Sequence, residues 1–318
     1  MAQANTKSVI EAGIMAAIAI IFAVAGAYIP LLGPFVFFIW PVPIILLGVR
    51  HGYKWSIMAT VVAGVIIAIL VQPLIALNII VGFSLIGIVL GHAYRAGYSA
   101  LRTLLWGSLA MAVSIVASLA VSMVIVGVNP FELQLTTMEN AIGPAMDMYR
   151  SLGIPESQLA ESEQAMRQFL RLARFIIPVS VVSGAVLMAY LNIWISRAVL
   201  RKLGHQIPSL PPFKQWTMPL WVLYAVVAAT AMLYLTRERG EQDILHQAAI
   251  NLFFLGMVLL LVQGMALFYY LADKYNLSRL MRNIILVLII VNGFLAMMVM
   301  FAGAYDLAVD FRRLRAPR

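Results

Sequence analysis

Apolar residues run along this chain in long blocks rather than on narrow faces. From Val9 to Ile29 the sequence is almost unbroken in Ile, Ala, Val and Phe, and similar blocks recur to the far end. A surface helix of a soluble domain shows an apolar stripe opposite a polar face. Blocks of roughly 20 apolar residues have the length of a bilayer crossing instead. The pattern predicts helical spans over 9–29, 36–49, 54–71, 74–93, 103–127, 172–196, 216–236, 245–272 and 283–305, about nine in all.

The pattern changes over 129–171. There Met138, Ile142, Ala145, Tyr149 and Leu152 repeat at helical spacing, and Leu159, Met166, Phe169 and Leu170 form a second stripe beyond "GIPE". "TTME" at 136–139 has capping-box spacing, and Pro155 suits a first helical position. These features predict an amphipathic helical hairpin on the outer surface. Its methionines suit either a lid over a pocket or a helix resting on lipid.

A second irregularity is "YIPLLGPFVFFIWPVPIILLGVRHGYK", Tyr28 to Lys54. Pro30 and Pro34 flank Gly33 where the first helix stops. Pro41 and Pro43 fall inside the second predicted span. Irregular backbone at membrane depth is tolerated only where protein or a watery cavity covers it. Residues 30–43 are therefore expected to tuck against other helices.

Composition sharpens this picture. The 318 residues are 63% hydrophobic and 11% charged, against about 25% charged in ordinary soluble domains. The fold class is all-α, a polytopic helical membrane protein. The net charge of +9 fits cytoplasmic loops rich in Lys and Arg rather than nucleic-acid binding. With the N-terminus inside, the inner loops hold Lys7, Arg50, Lys54, Arg95, Arg102, Arg197, Arg201, Lys202, Lys214, Lys274, Arg279 and Arg282. The outer loops hold Arg150, Arg167, Arg171, Arg174, Arg237 and Arg239. Nine spans place the tail "DFRRLRAPR" outside, and its four arginines argue the opposite. The chain divides into a six-helix unit (1–200), a Pro-rich inner linker (201–215) and a three-helix unit with a basic tail (216–318).

Little chemistry is on offer. With no cysteine, disulfides and thiol catalysis are excluded. His51, His92, His205 and His246 lie near span ends or in loops, without metal-ligand spacing. No charged side chain falls deep inside a predicted span, where proton relays would need one. The chain is expected to be no enzyme and to carry no cofactor or metal. What remains is Gln72, Asn78, Ser118, Ser122, Ser180 and Ser183, all in the outer halves of their spans. They read as lining of an outward-facing pocket or as the small residues of close helix packing. Ala12, Ala16, Ala19, Ala23 and Ala27 form a small-residue stripe that admits another helix, from this chain or a partner. "GIVLG", Gly87 to Gly91, points to internal packing.

"EAGIMAAIAI", "GFSLIGIVLGHAYRAG", "GAYDLAVDFRRLR" and the proline-rich stretch together resemble the YybS-like family of bacterial membrane proteins. Residues 1–200 are also similar, more distantly, to the S components of energy-coupling factor transporters. That resemblance implies six helices with termini inside, outer loops capping a vitamin-like ligand, and Ala12 and Ala16 docking a coupling subunit. The spans over 216–305 have no counterpart there. The expected function is binding or transport of a small uncharged or lipid-like solute from the outer side, in a bacterial cytoplasmic (inner) membrane. The alternative is a membrane scaffold or regulator acting through protein contacts.

Overall fold

The computed structural model describes residues 2–29, 32–240 and 243–314. Pro30, Arg315 and Arg318 lie outside them. Every regular element among the described residues is helical. In chain order these are α1 (Ala2–Tyr28), α2 (Gly33–Ile39), α3 (Pro41–His51), α4 (Tyr53–Leu70), α5 (Pro73–Ile79), a π-helical turn (Ile80–Ser84), α6 (Leu85–Arg95) and α7 (Ala100–Val126). Then come α8 (Pro130–Ser151), α9 (Glu156–Phe175), α10 (Ile177–Lys202), a 3-10 turn (Phe213–Gln215), α11 (Trp221–Thr236), α12 (Ile244–Lys274), α13 (Arg279–Val291) and α14 (Gly293–Val309).

Among the described residues, six helices are long and apolar enough to cross a bilayer, or seven if the bent α13–α14 pair counts as one span: Thr6–Tyr28, Tyr53–Leu70, Pro73–Arg95, Ala100–Ile125, Ile177–Lys202 and Ile244–Lys274 are the six. This is fewer than the nine expected. The stretch 36–49 is interrupted at Trp40, and α11 has 16 residues, about 24 Å against a core of roughly 30 Å. The stretch 283–305 is not one helix. It breaks at Asn292, whose side-chain oxygen accepts from Leu295 N–H to start α14, and the two halves bend by 105°.

Contacts group the chain into two units, 1–170 with 181–209, and 171–180 with 210–318. In the first, α3 is the central element. Pro41 to Gly48 are buried at every position. Pro41 and Pro43 do not lie inside one continuous helix, because the predicted span 36–49 breaks at Trp40 just before them. They open α3, in the turn whose N–H groups have no intrahelical acceptor. The alanine stripe of α1 packs here: Ala12, Ala16, Ala19 and Ala23 share a core with Trp40, Ile44, Leu47, Ala59, Ala63 and Ile67. The face of Ala12 and Ala16 offered to a coupling subunit is thus covered by this chain's own α3 and α4. On the other side of α3, a Cβ on Gly91 would sit 3.0 Å from Ile45 O and 3.1 Å from Gly48 Cα. Only glycine allows α3 and α6 to approach this closely.

α8 and α9 form an antiparallel hairpin. Asn129 caps α8 through its side-chain oxygen, and Pro130 occupies the first turn. The helix therefore starts before "TTME", and Thr137 donates to Leu133 O inside it. The buried stripe is Leu135, Ile142 and Met146 with Leu159 and Leu170, whereas Met138, Met166 and Phe169 are exposed. Arg150 bonds both Asp147 and Glu156, and it holds the Glu156 carboxyl below the usual carboxylate range.

In the second unit, Asn251 of α12 hooks the α9–α10 junction. It donates to Phe175 O and accepts from Val179 N–H, replacing ladder bonds lost where the helix is interrupted. α14 crosses α12 at the glycines Gly264 and Gly303, where any Cβ would collide with backbone of Val299 or Leu260. The start of α13 lies at the C-terminal end of α12, whereas Asp306 near the end of α14 is bonded to Gln263 further back along α12. Arg282, in the first turn of α13, pairs with Asp273. Beyond α14, Arg312 donates to Lys214 O and Trp216 O, and Lys214 itself pairs with Asp273. The 105° bend of α13–α14 is that of a broken span or of a re-entrant segment.

Candidate functional site

A cavity of about 610 Å³ opens in the first unit, at the end away from Arg50 and Arg95. Six elements build it. The last turns of α1 supply Ala23, Gly26 and Ala27, small enough to leave space. α5 and the π-turn supply Leu74, Ile75, Asn78, Ile79, Gly82 and Phe83. α7 supplies Met111, Ile115, Ser118, Leu119 and Ser122. Gly33 and Val36 of α2, with Pro130 at the head of the hairpin, close the remaining side. A π-helical turn widens the helix locally and often marks functional sites; here it sits against Ser118, 3.3 Å from where a Cβ on Gly82 would lie.

The wall is apolar apart from three side chains. Asn78 donates to Leu74 O within its own helix. Ser118 Oγ is buried without a hydrogen-bond partner. Ser122 lies one turn further along the same face. No acidic or basic side chain lines the cavity. It can hold an apolar or uncharged molecule and offer a few hydrogen bonds; it has no group to move a proton.

The structure therefore brings together Asn78, Ser118 and Ser122. Gln72 is exposed at the start of α5, Ser180 is exposed, and Ser183 is half-buried on α10 with an unpartnered Oγ; none of these three lines this cavity.

A polar cluster in the second unit was not legible in the sequence. Asp306 and Arg312 pair at 2.9 Å with side chains 2% and 1% exposed. Gln263 Nε2 donates to the same carboxylate oxygen at 2.6 Å, and Gln263 Oε1 accepts from Met218 N–H. Asp306 Oδ1 has no partner. Both charges follow the last apolar block, where nothing in the sequence signals burial. A smaller polar relay lies at the basic end of the first unit. His51 bonds Ser8 Oγ through Nδ1 at 2.8 Å and Glu11 through Nε2 at 2.9 Å, and Arg50 shares the Glu11 carboxylate. These bonds tie α1 to the end of α3.

Among proteins of known sequence, the chain is 22% identical over 308 residues to "Uncharacterized protein YybS" of Bacillus subtilis (strain 168), covering 97% of this chain and 98% of that protein. No solved structure matches. Residues 17–307 match the family described as predicted membrane protein DUF2232, and the chain belongs to that family.

Proposed function

We propose that this membrane protein binds a small uncharged or lipid-like solute in the cavity between α1, α5 and α7, entering from the outer side. The observation that carries the reading is the convergence of Asn78, Ser118 and Ser122 on an otherwise apolar cavity of about 610 Å³. Convergent polar groups in an apolar cavity are the usual pattern of a binding site. The lining lacks acid–base groups, which supports binding rather than catalysis. The bacterial relative fits a place in a bacterial cytoplasmic membrane.

Transport through a coupling subunit, as the S-component resemblance implies, is the mechanistic extension of this reading. Ala12 and Ala16 are buried by α3 and α4, so such a subunit would have to dock on another face. A second reading, a scaffold acting through protein contacts, draws support from exposed Met138, Met166 and Phe169 on the hairpin.

Purification in mild detergent, solvent extraction and mass spectrometry test the proposal. Wild type is expected to carry one enriched solute that Ser118→Phe, eluting identically, has lost. The same solute in both, or bulk lipid alone in wild type, would remove the proposal. An ATP-binding protein copurifying with the chain would support the transport extension.

A further inference from the structure

We infer that the basic end of the first unit holds an anionic phospholipid, its phosphate between Lys54 and Arg95 and its acyl chain along the neighbouring helix groove. This site is separate from the cavity proposed above and does not depend on it.

A pocket of about 460 Å³ lies at the turn between α3 and α4, lined by His51, Lys54, His92 and Arg95 and by no acidic residue. Its wall is built rather than incidental. His51 is fixed by Ser8 and Glu11. Arg95 lines the pocket and is held against α3 by donating through one terminal nitrogen to Arg50 O at 2.9 Å. Gly52 makes the turn with φ +96°, a conformation that favours glycine. The nearby acid, Glu11, is already engaged by Arg50 and His51.

The pocket does not end in water. Tyr53 and His92 are shared with an adjoining groove of about 430 Å³ whose other lining includes Ile88, Val89 and Trp106. Tyr53 packs edge-on to His92 with ring centroids 6.0 Å apart. A positive pocket that runs into an apolar, aromatic-edged groove complements one class of molecule: a phosphate joined to a hydrocarbon chain. A free anion would fill only the first part, and a zwitterionic lipid would bring its own cation toward Lys54 and Arg95. Basic pockets between spans on the cytoplasmic side hold acidic headgroups in this manner. Tyr and Trp belong at that level of a bilayer.

Native mass spectrometry of the full chain tests this, with phosphatidylglycerol and phosphatidylcholine of identical acyl chains as probes. Wild type is expected to retain phosphatidylglycerol at least about tenfold more strongly, since each basic residue near a headgroup contributes roughly 1 kcal/mol. Lys54→Gln with Arg95→Gln should abolish the preference, and Trp106→Ala should weaken retention of both lipids. Equal retention of the two lipids by wild type would overturn the inference. So would an unchanged preference in the double variant. Displacement of the lipid by millimolar inorganic phosphate would instead assign the pocket to a free anion. A double variant that fails to fold is replaced by Lys54→Gln alone, for which a several-fold loss is expected and no loss is contradictory.

Discussion

Replacing Arg312 by alanine is expected to destabilise the second unit far more than any other change in the basic tail. The guanidinium is 1% exposed and makes three kinds of bond: to Asp306, to Lys214 O and to Trp216 O. Without it, Asp306 keeps only Gln263, since its other oxygen already lacks a partner. Two loop carbonyls also lose their donor. Removing one member of a buried ion pair costs about 3–5 kcal/mol, equivalent to a fall of roughly 10²–10⁴ in the folding equilibrium. Asp306→Asn should cost a similar amount, because it leaves the cation buried instead. The pair Asp306→Leu with Arg312→Met should recover only part of the loss: it removes the unpaired buried charge, but Lys214 O, Trp216 O and Gln263 Nε2 stay without their partners. Arg313→Ala provides the control, since that residue is exposed and surface changes usually stay within about 0.5 kcal/mol. Reversible unfolding in mixed detergent micelles, followed by tryptophan fluorescence, gives each value. A loss at Arg312 no larger than at Arg313 would refute the claim that the tail is folded into the unit.

Two further outcomes are expected. Because the chain has no cysteine, Arg313→Cys and Gln158→Cys report topology cleanly: an impermeant reagent added to intact cells should label position 158 and leave 313 untouched until the membrane is opened, and labelling of 313 from outside would contradict a re-entrant α13–α14. Gly91→Leu should cost more than about 1–3 kcal/mol through overpacking against α3, while Gly13→Leu, with nothing within 4 Å of its Cβ position, should be near neutral in a melting assay; equal effects would mean α3 and α6 are not in contact.

How far the sequence reached depends on the physical signal at each place. Helices α1, α4, α7 and α12 were legible because their apolar blocks reach about the length of a bilayer crossing and nothing competes with that reading. The hairpin was legible from Pro155 and the helical spacing on either side. Its buried face was not: α8 carries apolar residues on two faces, and spacing alone could not choose Leu135, Ile142 and Met146 over Met138 and Tyr149. The stretch 283–305 looked continuous because Asn292 is one polar residue in an apolar run, and only its role as a cap reveals the break. Asp306 and Arg312 follow the last apolar block with no sequence signal of burial, and tertiary contacts with Gln263 and the 214–216 backbone bury them. At the cavity, Asn78, Ser118 and Ser122 could be picked out as polar residues at the outer ends of spans. The empty space between them depends on Ala23, Gly26 and the π-turn, whose small size or local widening has no distinctive pattern.

The most direct test is a density map of the purified protein in lipid nanodiscs, at a resolution that shows side chains. The proposed function requires a discrete feature between Asn78, Ser118 and Ser122, bounded by Gly33, Val36 and Pro130 and within hydrogen-bond distance of Ser118 Oγ. A cavity that is collapsed, or filled by an acyl chain continuous with the surrounding bilayer, would contradict it.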